Sequence, residues 1–153
     1  MANTYTQIYL QFVFAVMNRE SLIQSIWKDE LYKYITGIVQ KNKHKLIAIN
    51  GMPDHLHVFV GYKPHQLIPD LLQDIKGSSS YWINSRNLLK GKFRWQQGYG
   101  AFSYSHSHLE NVVKYIMDQE QHHKKITFWE EYIGLLKKFN VVYDEKYILG
   151  DIQ

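Results

Sequence analysis

Two histidines, His55 and His57, follow the turn signal Gly51-Met52-Pro53-Asp54 and sit in the run His55-Leu56-His57-Val58-Phe59-Val60. That β-branched and aromatic run reads as a strand. Successive strand side chains point to opposite faces, so both imidazoles project from one face while Leu56 and Val58 enter a core. Two neutral imidazoles side by side suit a divalent metal, with Asp54 as an extra ligand or as a hydrogen-bond partner behind the ligands. The bland alternative is a pair of surface histidines on the polar face of a half-buried strand. A second pair is Tyr115 and Gln119, which share a face if one helix carries both. The phenol is a candidate nucleophile and the amide a candidate oxygen ligand. Each is ordinary alone, because most of the 12 tyrosines must pack or sit at the rim. A third stretch, Lys76-Gly77-Ser78-Ser79-Ser80, is poor in helix formers. It marks either close packing of a helix on a sheet or a lysine and hydroxyls lining a phosphate path.

These residues need a frame to hold them. Thr6 to Met17 alternates, with Ile8, Leu10, Phe12 and Phe14 on one side of a strand and a phase slip near Val13 to Val16. Asn18 to Ser21 is a turn, and Ser21 is a candidate cap for a helix over Leu22 to Asn42, whose stripe includes Ile23, Ile26, Trp27 and Leu31. His44 to Asn50 is a second strand, joined through the Gly51–Asp54 turn to the His55–Tyr62 strand as a hairpin. Gln66 to Asn87 repeats at helical spacing, with Pro69 tolerated in its first turn. Phe102 to Tyr104 ends a fourth strand after a glycine-containing bend. Ser107, with Glu110 three residues on, reads as the capping box of a third helix over Leu109 to His122. A fourth helix follows from about Phe128 to Phe139, and the tail Val141 to Gln153 is expected to dock or add an edge strand.

The order strand, helix, strand, strand, helix, strand is that of an α+β, ferredoxin-like fold (split βαβ, RRM-like). It implies a four-stranded antiparallel sheet with helices on one face, plus a C-terminal tyrosine-bearing helix and an additional helix. At 153 residues and 45% hydrophobic composition, one folded domain spanning 1–153 is expected. There is no Cys, which excludes disulfides and thiolate zinc sites and fits a cytoplasmic protein. No apolar run is long enough to span a membrane. The chain carries a net charge of +4 and a pI near 9.1, mildly favouring a polyanionic partner. Arg is confined to Arg19, Arg86 and Arg94, so most contacts to phosphate would come from Lys.

Four segments, in this order, carry a resemblance: Asn50-Gly51-Met52-Pro53-Asp54-His55-Leu56-His57-Val58, Asp74-Ile75-Lys76-Gly77-Ser78-Ser79-Ser80, Trp95-Gln96-Gln97-Gly98-Tyr99-Gly100-Ala101-Phe102-Ser103, and Lys114-Tyr115-Ile116-Met117-Asp118-Gln119-Glu120-Gln121-His122-His123. The chain resembles the HUH single-tyrosine transposases of small bacterial insertion sequences, the short TnpA type of the IS200-like superfamily, over nearly its whole length. The resemblance implies that His55 and His57 are the HUH pair, Tyr115 the nucleophile, and Gln119 the third protein ligand to Mg²⁺ or Mn²⁺. It further implies a substrate of single-stranded DNA with subterminal hairpins, a 5′-phosphotyrosine intermediate, and a homodimer whose tyrosine helix can complete the other subunit's site. Lys76, Ser78, Arg94, Trp95, Tyr99, His122 and His123 are the candidate DNA contacts. Three alternatives use the same residues: a non-catalytic single-stranded nucleic-acid-binding module, an HUH nickase acting on repetitive host sequences, and a metal-dependent hydrolase in which water attacks.

Overall fold

A computed structural model describes residues 3–148. Its centre is a four-stranded antiparallel sheet of order β2-β3-β1-β4, formed by β1 (Tyr9–Ala15), β2 (Lys45–Met52), β3 (His55–Gly61) and β4 (Gly100–Tyr104). β3 and β1 are the two inner strands, and β3 runs antiparallel to both neighbours, with His57 opposite Val13 on one side and Asn50 on the other. Helices α1 (Lys28–Lys41) and α2 (Ile68–Ser85) cover one face. The second face lies under α3 (Leu109–Met117), α4 (Gln119–His122) and α5 (Phe128–Lys138). The expected ferredoxin-like sheet with two helices on one face and further helices beside it is present.

The first face follows the alternation read from the chain. Leu10, Phe12, Phe14, Leu56, Val58 and Val60 join Leu31, Ile35, Leu71, Leu72 and Ile75 in the main core. The apparent phase slip in β1 has a physical cause. Val13 and Ala15 face the other way and are buried by Phe102, Phe128, Tyr132 and Leu135. A third cluster, Ala48, Phe59, Val112 and Ile116, seats α3 on the same second face. The two inner strands are therefore covered on both faces, whereas β4 and β2 keep exposed positions.

Several local expectations are corrected. α1 starts at Lys28, not Leu22; Ser21 caps nothing, and Ile26 is 86% exposed. The segment before α1 is tied down instead by the Ile23 amide bonding to the Pro53 carbonyl. Ser107 does not form a capping box; it lies in a 3₁₀ turn, His106–His108, and His108 precedes α3 without a side-chain cap. The capping box is at α5, where Thr127 and Glu130 satisfy each other's backbone amides. The expected single helix over Leu109–His122 is broken at Asp118. The Asn50 amide donates to the Ile116 and Met117 carbonyls at 3.0 and 3.2 Å. A continuous helix would have offered those carbonyls to residues four further on. In the tail, a 3₁₀ turn at Glu145–Tyr147 leads to buried Ile148, which docks on the second face rather than extending the sheet. The remainder of the expected tail lies outside the described residues, in which no helix is long and apolar enough to cross a membrane.

Gly51 lets β2 pass close to the strand bearing the histidines. A Cβ there would meet the His55 carbonyl oxygen at 2.1 Å and Leu56 Cα at 2.9 Å, both on rigid backbone. Gly51→Ala is expected to lower stability by about 1–3 kcal/mol through overpacking, read as a lower urea midpoint with the far-UV spectrum retained.

Candidate active site

β3 presents His55 and His57 to the second face, where both are fully buried. They are not the surface pair of the bland alternative. Their rings lie 5.1 Å apart in an edge-on arrangement. Asp54, at the turn before β3, accepts from His55 Nδ1 at 2.7 Å. That bond turns Nε2 inward, and carboxylates commonly orient metal-binding imidazoles in this way. His57 is oriented from β1, where the Gln11 amide lies 2.8 Å from its Nδ1. Gln11 in turn accepts from the Tyr104 hydroxyl at 2.8 Å.

Both Nε2 atoms converge on a residue absent from the sequence reading, Glu131 of α5. Its Oε1 lies 3.3 Å from His55 Nε2, 3.2 Å from His57 Nε2 and 3.0 Å from His123 Nε2. Its Oε2 accepts from the Tyr115 hydroxyl and, at 2.9 Å, from the Gln119 amide. The Gln119 side-chain oxygen lies 2.9 Å from His55 Nε2. Phe128, one turn before Glu131, stacks on His55 with ring centroids 3.9 Å apart. Glu131 did leave a trace in the sequence. It sits on the α5 stripe with Phe128, Tyr132 and Leu135, where an apolar side chain is the norm and a charge needs partners.

The donor set fits a divalent cation. His55, His57 and Glu131 each offer a ligand atom, and these atoms lie within 4.8 Å of one another among buried groups. Two imidazoles, a carboxylate and the neighbouring Gln119 oxygen form a mixed nitrogen and oxygen set, with the carboxylate and amide oxygens favouring hard ions. Tyr115 stands beside this set in the same chain, its ring 5.8 Å from that of His57. The break at Asp118 does not separate the pair read as one helical face, since α4 still buries Gln119 next to Tyr115's partner.

The electrostatics follow from burial. Burial works against a charged His55, yet its bonds to Asp54 and Glu131 win and raise its pKa to about 9. His57 is pushed down by burial, and its contact with Glu131 does not compensate. For Glu131, burial opposes ionisation, but His55 and His57 hold its carboxyl far below the usual range. Burial and Glu131 both push Tyr115 up, so in this arrangement it is a protonated phenol held on an ionised carboxylate.

The remaining candidate residues divide. His122 tilts against the Tyr115 ring at 4.6 Å, and His123 bridges Glu131 and the Ile126 carbonyl. Lys76, Ser78, Arg94, Trp95 and Tyr99 are not drawn into this cluster. The Lys76 ammonium bonds the Gln96 and Gly98 carbonyls at 2.7 and 2.8 Å, and burial lowers its pKa to about 8. Ser78 bonds Asp74. Trp95 is a buried core residue whose indole donates to Ser79 and whose ring packs at near right angles to Phe14 and Phe93, which leaves little of it open to a base. Arg94 is exposed and Tyr99 half-buried.

The sequence profile of the family described as "Transposase IS200 like" matches residues 4–119. That span includes His55, His57, Tyr115 and Gln119 and leaves Glu131 outside. The ISDra2 transposase TnpA of Deinococcus radiodurans is 26% identical over 124 residues, which is 78% of this chain and 87% of the relative. A crystal structure of a transposase candidate from Deinococcus radiodurans R1 matches with TM-score 0.63 at 23% identity, covering 78% of this chain and 95% of its own. The REP-associated tyrosine transposase solved bound to a REP hairpin matches with TM-score 0.61 at 15% identity, covering 100% of this chain and 96% of its own.

Metal-free stability gives a check on this charge pattern. The protonated His55 stabilises the fold fully below pH 6.5, the ordinary value, and that contribution is lost as pH rises through about 9. His57, with its pKa lowered, contributes only below 6.5, and Lys76 begins to act near 8. Between pH 6.5 and 8 the urea midpoint of chelator-treated protein is therefore expected to fall. Asp54→Asn, which removes the charge behind His55, is expected to flatten that decline.

Proposed function

Because the chain belongs to the IS200-like transposase family, we propose that it cuts and rejoins single-stranded DNA with Tyr115 as the nucleophile. The observation that carries this reading is that the Tyr115 hydroxyl and the His55 and His57 Nε2 atoms share one carboxylate within a single chain. His55, His57 and Gln119, joined by Glu131, would hold Mg²⁺ or Mn²⁺. Such an ion would supply positive charge that offsets the charge of the phosphodiester and favours attack on it.

The chain's own residues do the rest. Glu131 orients the phenol through its hydrogen bond, which fixes where the oxygen meets phosphorus. Tyr115 Oη forms the new bond to phosphorus as its proton passes to the Glu131 carboxylate, the bond to the 3′ oxygen breaks, and that oxygen takes up a proton from water. The products are a 5′-phosphotyrosine and a free 3′-OH. The ester keeps the energy of the broken bond, so a 3′-OH can reverse the step and join strands without ATP. Asp54 and Gln11 hold the two imidazoles in place from behind, and Phe128 excludes water from the face of His55. Hairpin-bearing single strands are the proposed substrate, supported by the neighbour solved with a REP hairpin. The proposed assembly is a homodimer with each site completed within its own chain, since no second copy is needed to bring Tyr115 to the histidines.

Incubating the protein with Mn²⁺ and labelled single-stranded DNA, then running a denaturing gel, is expected to shift label onto the protein. Tyr115→Phe is expected to abolish that adduct completely. Cut DNA with no adduct would mean that water attacks, and the proposal would fail. His57→Ala is expected to weaken Mn²⁺ binding at least about tenfold, read from the free-ion electron paramagnetic resonance signal.

A further inference from the structure

α3 and α5 lie side by side on the second face and leave a groove of about 190 Å³ between them. His108 and Asn111 line it from the start of α3 and Tyr115 from its last turn; Leu135 and Lys138 line it from α5, and Tyr104 from β4. The spacing explains the geometry. His108, Asn111 and Tyr115 recur at intervals of three and four, and so do Glu131, Leu135 and Lys138, so each set forms one stripe along its helix. One end of the groove closes on the Tyr115–Glu131 hydrogen bond. The other opens at His108 and at the last turn of α5, where Lys137 and Lys138 are the basic residues.

Charge and shape favour one occupant. The mouth offers an ammonium, an imidazole and an amide, while the walls are mostly apolar. That pattern suits a sugar-phosphate held at the mouth with its base turned inward, and the volume admits one unpaired base rather than a duplex. The Lys138 ammonium rests 5.7 Å from the centroid of the Tyr104 ring. Were it to move onto a phosphate, it would free an aromatic face on which a base can stack.

We propose that this groove binds the nucleotide next to the scissile phosphate of a single-stranded DNA, with Lys138 on its phosphate and the Tyr104 ring under its base. This rests on Tyr115 being the nucleophile. Lys138 sits on α5, beyond the residues matched by the family profile.

The test uses the full chain carrying Tyr115→Phe, so that binding is read without cleavage. Its affinity for fluorescent single-stranded oligo-dT is measured over a salt series, alone and with Lys138→Gln. Lys138→Gln is expected to weaken binding about fivefold and to make the salt dependence shallower by about 0.7 in the log–log slope, one phosphate contact on a single strand. Lys41→Gln, on the opposite layer, is expected to change neither. An unchanged slope with Lys138→Gln overturns the proposal, as does weaker binding with an unchanged slope and a lowered melting temperature, which marks a merely structural role. With Tyr115 restored, Lys138→Gln is expected to need more DNA to reach the same adduct yield; a lower yield at saturating DNA overturns the binding role. A native chain that forms no adduct with any single strand, while Lys138→Gln still changes the slope, overturns Tyr115 as nucleophile but not the groove as a DNA site.

Discussion

A carboxylate buried against three imidazoles is the constraint on which the second face depends. Glu131 is 4% exposed, and an ionised group so placed costs several kcal/mol unless its partners are close and well aimed. Those partners come from β3, α3, α4 and the loop before α5, so satisfying one side chain fixes the relative positions of four segments. Each partner is itself held from behind: His55 by Asp54, His57 by Gln11, and Gln11 by Tyr104. The polar network therefore runs from the turn before β3 to the far edge strand. It also holds the phenol and the imidazoles together around one carboxylate.

Sequence reading reached the layer that obeys simple periodicity. The βαββαβ order, the facing of Leu56 and Val58, and the helical stripe of α2 all follow from rules of spacing that need no knowledge of the partner element. What was not legible depends on long-range contacts. The break at Asp118 is caused by Asn50, 66 positions away from the carbonyl it takes, and nothing in Tyr115-Ile116-Met117-Asp118-Gln119 announces it. Ser107 and Glu110 have the right spacing for a capping box, yet the chain enters α3 through a 3₁₀ turn that uses Ser105, Ser107 and His108 for each other. Thr127 and Glu130 have the same spacing and do form one. Local chemistry proposes a cap, and the path of the incoming chain decides whether it forms.

The site was half legible in the same sense. His55, His57, Tyr115 and Gln119 stood out by type and spacing, while Glu131 is one acidic residue among several on a helix read only for its apolar stripe. Lys76 is a case in which the structure adds a local role. A lysine in a serine-rich helix suggests a phosphate contact, but its ammonium is engaged by two carbonyls of the Gln96–Gly98 bend. There it serves as the fastener for a loop, and Trp95 beside it is core.

The two halves of the site differ in mechanical character. His55 and His57 ride on an inner strand, hydrogen-bonded on both edges and sealed on both faces, where amide protons exchange only with deep opening of the fold. Tyr115, Gln119 and Glu131 ride on short outer helices joined through a break and a brief loop. The imidazoles are thus set by the sheet itself, whereas the phenol is aimed by a side-chain hydrogen bond to a neighbouring helix.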